Sequence, residues 1–199
     1  MLSGRIVTLR ALRRDDLAIV YPELDDDPVL HATANLTPWR PLPAGRRVAA
    51  FDQEIAAGAD RAESAGAEKF AVQRRDDPMG RPIGTAVVWG IDQHQRIAHL
   101  GLRLLAGVRG QGLGRDVLYA LCRYAFQVRD LHRVQLETLA SNLAMQRAAL
   151  AAGFDLEGRL RESAYLMGRR EDELVYGLLA AAWWRREEVH DLPEQPTGA

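Results

Sequence analysis

The sequence predicts a mixed α+β domain in which helices flank a mostly antiparallel sheet. The strongest observation is a run of three strand-like segments between Phe70 and Leu105, separated by short polar turns. A second observation is the glycine-rich turn that follows them and opens a segment with helical apolar spacing. Because the rest of the chain again alternates strand and helix patterns, we expect helices to pack on the sheet.

The chain begins with a strand pattern followed by a helix pattern. Alternation at Arg5–Arg10 predicts a half-buried strand, and Asp15 and Asp16 then stand where the positive end of a helix favours acids. The segment from Pro22 to Pro43 is rich in proline and aspartate, so we expect a loop or broken helix that covers part of the molecule as a lid. The alanine-rich stretch 44–65 is predicted to be a helix.

The middle and C-terminal parts supply the sheet and its remaining helices. Strands are predicted at Phe70–Gln73, Pro82–Ile91, Arg96–Leu105 and Val134–Leu139, with a last pair of strands from Phe154 onward. Helices are predicted at 113–125 and at 142–152, the second ended by Gly153. We expect residues 1–184 to form one domain and residues 185–199 to form a loose tail.

Composition and charge argue against several classes of protein. Of the 199 residues 47% are apolar, and 26 basic residues against 27 acidic ones give a net charge of −1. That balance argues against nucleic acid and against a membrane surface as partners. The single cysteine, Cys122, lies in the apolar repeat of a predicted helix, so we expect it to be buried. We find neither a secretion signal nor a membrane-spanning run, and we therefore expect a cytoplasmic location.

The glycine-rich turn carries the clearest functional signal. It reads Arg109-Gly110-Gln111-Gly112-Leu113-Gly114-Arg115 and joins an apolar strand to a helix. Alternating glycines let successive backbone N–H groups point toward one spot, and the helix adds its free N–H groups and the positive end of its dipole. The pattern predicts a cradle for a diphosphate, with a turn that binds nothing as the alternative.

Two common nucleotide-binding motifs do not fit this turn. A P-loop would continue with Gly-Lys-Ser/Thr, whereas Gly114 is followed by Arg115 and Asp116. A dinucleotide fold would need G-x-G-x-x-G and an acid at the end of the next strand. The spacing here is G-x-G-x-G, and Asp130 precedes that strand.

The order of the predicted elements, with R-x-x-G-x-G at 109–114, resembles the GNAT superfamily of N-acetyltransferases over nearly the whole chain. Other segments resemble the branch that acetylates ribosomal-protein N-termini and many small amines. They are Arg5–Arg10, the block from Asn142 to Phe154 with Glu157-Gly158-Arg159 behind it, and Gly168–Asp172 with Tyr176-Gly177-Leu178. The resemblance implies a central sheet whose strands splay apart.

The resemblance also implies acetyl-CoA as co-substrate, without a metal. Backbone amides of the turn would hold the diphosphate, and the strand at 102–104 would pair with the pantetheine arm as if the arm were another strand. Asn142 matches the family's asparagine that bonds the arm, and it is equally suited to cap the following helix. The expected cofactor-binding residues are Leu102, Arg103, Leu104, Arg109, Gly110, Gln111, Gly112, Leu113, Gly114, Arg115 and Asn142.

Acetyl transfer to an amine needs a neutral amine, stabilisation of a developing oxyanion and a proton for the leaving thiolate. His99 is the first candidate for the base, because imidazoles titrate near neutral pH and the branch often carries a glutamate at this position. Glu137, on the strand after the cofactor helix, is the second candidate. The simpler alternative for His99 is a partly exposed strand histidine without a catalytic role. The simpler alternative for Glu137 is a solvated charge on a strand face.

No general acid is assigned. Met145 stands where some relatives carry a serine, and Leu150 stands where others carry a tyrosine. Tyr165 is the nearest tyrosine in the sequence and is expected to be a core aromatic of its strand. The backbone N–H of Leu104 could polarise the thioester carbonyl, and positioning alone can supply much of the rate.

The sequence therefore predicts an N-acetyltransferase that moves an acetyl group from acetyl-CoA to a primary amine by direct transfer in a ternary complex. The alternative is a catalytically silent domain that binds an acyl-CoA as a sensor or a partner-docking module. The acceptor would be a protein N-terminus or a small amine, and Trp39 with the acids Asp25–Asp27 suggests a cationic one. The resemblance is also compatible with a homodimer.

Overall fold

An eight-stranded sheet forms the centre of the computed structural model, which describes residues 2–26, 28–34, 39–41, 43, 45–46, 48–49, 52–53 and 67–190. The strands are β1 (Leu2–Ser3), β2 (Val7–Ala11), β3 (Glu68–Arg74), β4 (Pro82–Asp92), β5 (Ile97–Leu104), β6 (Arg133–Leu139), β7 (Asp155–Leu166) and β8 (Arg169–Leu179). They lie side by side in the order β1-β2-β3-β4-β5-β6-β8-β7.

Helices pack on this sheet. They are α1 (Leu17–Leu24), α2 (Pro28–Ala34), α3 (Leu113–Arg123), α4 (Leu143–Ala152) and α5 (Ala180–His190). The apolar face of α3, which includes Val117 and Leu121, is fully buried against strand residues such as Val88 and Leu136. The main core therefore lies between α3 and one face of the sheet. Alternate residues of β4, β5 and β6 point to the opposite face.

The sheet is antiparallel except between β5 and β6, and these two strands separate soon after they begin. Their parallel pairing extends only from Ile97 with Arg133 to His99 with Gln135. Beyond that point β5 stays paired with β4 as far as Leu104, while β6 stays paired with β8 as far as Leu139. Among the described residues, the β6-facing edge of β5 has no strand partner after His99.

A buried carboxylate fixes the N-terminal segment to α3. The Asp116 side chain accepts hydrogen bonds from the backbone N–H groups of Arg5, Ile6 and Val7, each at 2.8 Å. Gly4 lies so close to the Asp116 carboxylate that a Cβ at this position would be 2.4 Å from it. Asp116 thus joins the start of β2 to the helix that follows the glycine-rich turn.

The observed elements confirm the predicted α+β fold with few differences. The strands from β3 to β8 lie within a few residues of their predicted positions, whereas the sequence did not predict the two-residue strand β1. The segment 22–43 contains α2, in agreement with a broken helix. Most of the helix predicted at 44–65 lies outside the described residues, although those described between 45 and 53 are helical.

The C-terminal boundary differs from the prediction. Helix α5 continues to His190, six residues into the segment expected to be a loose tail, because Trp183 on this helix is buried in the main core. Residues 191–199 lie outside the described part of the chain. Within that part, no helix has the length and apolar character needed to cross a membrane. Cys122 is fully buried, as expected.

Candidate functional site

The glycine-rich turn has the backbone conformation that its sequence predicts. Gly110 and Gly112 have φ angles of +75° and +74°, in the left-handed region that residues with a Cβ rarely adopt. Apart from the glycine itself and its chain neighbours, no atom of the described residues lies within 4 Å of the position that a Cβ would take at either glycine. Gly112 is the N-cap of α3, so the first N–H groups of the helix follow it directly. The turn is thus open on the side where an anion would approach.

Side chains of the turn link it to the neighbouring strands. Arg109 donates from Nε to the carbonyl oxygen of Leu104 at 2.9 Å, which connects the turn to the end of β5. Gln111 accepts a hydrogen bond from Arg74 at 3.2 Å. Arg115 is exposed on the first turn of α3. These contacts fix the turn relative to β5 and β3.

The end of β5 lies close to β4 and to α1. A Cβ at Gly84 would lie 2.2 Å from the carbonyl oxygen of Arg103, so only glycine fits at that position of β4. The Arg103 side chain lies on the opposite face from the main core and bonds the Asp25 carboxylate at 2.5 Å. Leu102 and Leu104 pack on the core. Leu102, Arg103 and Leu104, the three strand residues predicted from the resemblance, all follow His99 on β5. They therefore lie where, among the described residues, the β6-facing edge of this strand has no strand partner, called the free edge of β5 below.

Asn142 caps the helix that follows β6. Its Oδ1 accepts a hydrogen bond from the backbone N–H of Met145 at 3.1 Å. The capping role that the sequence allowed is therefore observed. Only the carbonyl end of the side chain makes this bond, and the amide end can still donate to a ligand.

His99 and Glu137, considered separately at the sequence level, form a hydrogen-bonded pair. His99 Nδ1 lies 3.1 Å from Glu137 Oε1 and 3.2 Å from Oε2, and each side chain is 23% exposed. His99 belongs to the last rung of the β5–β6 pairing, and Glu137 is two residues beyond that rung on β6. The pair thus lies at the point where the two strands begin to separate.

Two further side chains contact this pair. Gln135 donates from Nε2 to Glu137 Oε1 at 2.8 Å, and the same nitrogen lies 3.4 Å from both ring nitrogens of His99. Trp89 stacks on His99 with ring centroids 4.2 Å apart. The sequence analysis did not identify either residue. The alternation of Gln135 and Glu137 along one strand could have indicated that they share a face.

The pair has a defined protonation pattern. Burial disfavours the charged form of Glu137, but the hydrogen bond and charge of His99, with the Gln135 amide, outweigh burial and lower the pKa of Glu137 below its ordinary value. An ionised carboxylate only accepts hydrogen bonds, so the Nδ1 atom that faces it carries a proton. In the neutral imidazole the lone pair is then on Nε2, which is the arrangement of a general base.

The acceptor-side residues predicted from the sequence differ in part from the expectation. Asp25 is not an open charge, because its carboxylate pairs with Arg103 and its carbonyl oxygen accepts from the Trp39 indole N–H at 2.9 Å. Asp27 lies outside the described residues. Tyr165 is 67% exposed, with Arg170 over its ring, and is therefore not the core aromatic that the sequence predicted.

A cavity whose lining includes neither His99 nor Glu137 lies on another part of the fold. It measures about 290 Å³ and lies between the turn after β6 and the β7–β8 hairpin. Its lining consists of Ser141, Leu166, Arg169, Arg170 and Glu171, none of which is a candidate site residue. The candidate site is therefore an open face of the sheet and not this cavity.

Residues 7–155 match the family described as an acetyltransferase (GNAT) domain. The chain belongs to this family. The GNAT fold of this protein is also that of a crystal structure of spermidine N-acetyltransferase from Vibrio cholerae in complex with CoA and spermine. The two share 21% identity and a TM-score of 0.73, over 89% of this chain and 98% of the other.

Two relatives found by sequence comparison show which kinds of acetyltransferase this GNAT protein is similar to. It is 28% identical over 104 residues, 52% of its length, to the putative ribosomal N-acetyltransferase YdaF of Bacillus subtilis. It is 23% identical to the spermidine N(1)-acetyltransferase of Vibrio cholerae over 92% of its own length and 98% of that protein's. The match spans 57% of YdaF and 62% of the uncharacterized N-acetyltransferase YoaA, less than two thirds of either.

These findings confirm the GNAT resemblance and an acetyltransferase at the level of the family. They do not establish the branch that acetylates ribosomal-protein N-termini and many small amines, because the relatives include both a putative ribosomal N-acetyltransferase and a spermidine N(1)-acetyltransferase.

Proposed function

We propose that this protein is an N-acetyltransferase that moves an acetyl group from acetyl-CoA to a primary amine. The observation that supports it best is the His99–Glu137 pair at the point where β5 and β6 separate. The same free edge of β5 leads from this pair to Leu104, and Arg109 joins Leu104 to the glycine turn. The proposed base, the free backbone edge of β5 and the glycine turn thus follow one another from the middle of β5 to the segment after its end.

The residues present fit the coenzyme. The free edge of β5 offers N–H and C=O groups to the amides of the pantetheine arm, in the manner of an added strand. Gly110 and Gly112 leave the turn open for the diphosphate, and the first N–H groups of α3 favour negative charge. Asn142 would donate to the arm from the start of α4. The proposed binding set is the one given by the family resemblance, namely residues 102–104, residues 109–115 and Asn142.

In this mechanism His99 accepts a proton from the amine at Nε2, while Glu137 holds Nδ1–H and stabilises the imidazolium that results. Acetyl-CoA supplies an activated thioester, whose acetyl carbon bonds to nitrogen as its C–S bond breaks. One proton moves in total from nitrogen to sulfur. The backbone N–H of Leu104 would polarise the carbonyl oxygen, and we assign no side-chain acid.

The acceptor is proposed only as a primary amine. The relatives' names include both spermidine and ribosomal acetyltransferases, so a polyamine, another small amine and a protein N-terminus belong in one test panel. We also propose self-association, because a spermidine N-acetyltransferase from Vibrio cholerae has a dodecameric structure. A cytoplasmic location is proposed as well, on the sequence pattern alone. Light scattering tests the assembly, and a monomer at all concentrations would contradict it.

The deciding experiment measures CoA thiol release with acetyl-CoA and this panel of amines, together with calorimetric binding of acetyl-CoA. We expect binding and amine-dependent thiol release. Absence of binding at millimolar acetyl-CoA would refute the proposal. Binding without turnover of any amine would instead support the silent acyl-CoA-binding domain.

A further inference from the structure

Gln135 lies in the middle of a row of hydrogen-bonded polar side chains, on the same sheet face as His99 and Glu137. Its side-chain nitrogen donates to Glu137 Oε1 at 2.8 Å and lies against the His99 ring. An amide can rotate by half a turn and present its oxygen in place of its nitrogen. In the rotated form the amide oxygen would face an ionised carboxylate and repel it. The orientation of this amide therefore matters for the pair.

Arg133 fixes that orientation. Its Nη2 donates to Gln135 Oε1 at 3.3 Å, and an arginine can only donate. Because Arg133 occupies the amide oxygen, the amide nitrogen must face Glu137. Arg133 and Gln135 are two residues apart on β6, so their side chains share one face of the sheet.

Glu157 in turn holds Arg133. Both carboxylate oxygens of Glu157 accept from the Arg133 guanidinium, one of them at 2.6 Å, which is a two-point contact. Glu157 lies at an irregularity in the β7–β8 register, and its carboxylate lies over Gly177. A Cβ at Gly177 would come within 2.3 Å of that carboxylate. Glu157 and Gly177, one residue from each of the two motifs named above, are thus packed against each other.

We propose that Gln135 is a positioning residue for the His99–Glu137 pair, and that Arg133 and Glu157 keep its amide in the orientation that donates to Glu137. The proposal rests on the proposed function, in which His99 accepts the proton. Gln135 holds the Glu137 carboxylate in place, and Glu137 keeps the proton of the neutral imidazole on Nδ1. Nε2 therefore remains the accepting atom.

The first test is the tautomer of His99 by ¹⁵N NMR of the histidine-labelled protein without ligand. The chain has five histidines, and a His99→Gln sample assigns the signal. In the wild type we expect the neutral ring to carry its proton on Nδ1. In Gln135→Leu we expect a mixture of the Nδ1–H and Nε2–H tautomers in exchange. An unchanged Nδ1–H tautomer in Gln135→Leu would overturn the proposal. This measurement needs no turnover, so it is independent of whether the acetyl-transfer proposal holds.

The second test is a double-mutant cycle of Gln135→Leu and Arg133→Lys, measured as kcat with saturating acetyl-CoA. Lysine lacks the fork that reaches Glu157 and Gln135 together. We expect Gln135→Leu to lower kcat roughly 10- to 100-fold, with the Kd for acetyl-CoA unchanged. Arg133→Lys should lower kcat less, and should have no further effect when Gln135 is already leucine.

Arg159→Lys is the matched control. Arg159 pairs with Asp172 at 2.5 Å, a similar carboxylate contact of β7 that does not lead to Gln135. We expect this variant to keep the wild-type kcat. Additive effects of Arg133→Lys and Gln135→Leu, or an equal loss of kcat in Arg159→Lys, would overturn the proposed role of Arg133. Glu157→Gln gives a second way to loosen Arg133 without altering β6, and it should reproduce the effect of Arg133→Lys.

Discussion

The donor side of the candidate site is built from backbone, whereas the catalytic side is built from side chains. On the donor side, the glycine turn and the free edge of β5 present N–H and C=O groups whose positions follow from chain geometry. On the catalytic side, His99, Gln135 and Glu137 depend on one another for orientation. Damage to one region should therefore affect donor affinity, and damage to the other should affect rate.

The largest expected effect is on the catalytic side. His99→Ala removes the proposed base, so kcat should fall by roughly 10²- to 10⁴-fold, the usual contribution of a general base. The Kd for acetyl-CoA, measured by calorimetry, should stay unchanged because His99 lies outside the turn. A parallel loss of donor affinity would show that the two regions are not separable.

The next effect is on the donor side. Gly112→Val forces a branched residue into a left-handed conformation at the start of α3, which costs about 1–3 kcal/mol and moves the N–H groups of the turn. The Kd for acetyl-CoA should rise by roughly 10- to 100-fold, with kcat at saturating donor nearly unchanged. Gly107→Ala is the control, because Gly107 has no positive φ and no atom within 4 Å of an added Cβ. Equal affinities of the two variants would contradict the backbone account.

A third prediction concerns the tether that supports the donor helix. Asp116→Asn replaces one accepting oxygen by an NH₂ group that faces backbone N–H donors, so at least one of the three backbone donors of residues 5–7 loses its partner. The free energy of unfolding, from urea denaturation, should fall by about 2–3 kcal/mol. The His99→Ala variant is the comparison, with a much smaller loss. A wild-type midpoint in Asp116→Asn would show that the tether contributes nothing to stability.

The smallest expected effect is the pH dependence of stability at Glu137. The pKa of this carboxyl is lowered in the folded protein, so the charged group stabilises the fold at neutral pH and this contribution is lost as pH falls through the lowered pKa. Glu137→Gln should be less stable than the wild type by about 1 kcal/mol at neutral pH. The difference should shrink as the pH falls below the ordinary pKa of a glutamate, and it should vanish once the pH is below the lowered pKa of Glu137. A constant difference across the acidic range would contradict the ionised pair.

Donor-side features could be predicted from the sequence because they depend on local rules. The spacing of Gly110, Gly112 and Gly114 between a strand and an apolar helix pattern indicates a turn of open N–H groups without any knowledge of tertiary contacts. The meander and the last strand pair were similarly predicted from alternation and turn residues. The apolar repeat of the predicted helix at 113–125 also predicted the buried state of Cys122.

The catalytic pair could not be predicted as a pair, because it depends on register between strands that are far apart in sequence. His99 and Glu137 approach each other only because His99 pairs with Gln135, a rung that no local pattern specifies. The Arg103–Asp25 contact likewise joins residues distant in sequence, and it shows that one of the three acids expected to favour a cationic acceptor is already paired. Helix α5 was not predicted, and it extends into the segment expected to be a loose tail; its Trp183 is buried in the main core, a tertiary contact that no local pattern specifies.

The most direct test of the central claim is the pH dependence of kcat/KM for the amine at saturating acetyl-CoA, from about pH 6 to about pH 9, in the wild type and in His99→Gln. The account predicts that the wild-type profile has an acidic limb that belongs to the enzyme, and that His99→Gln loses this limb and keeps only the ionisation of the amine itself. An acidic limb of the same shape and position in both proteins would contradict the assignment of His99 as the base.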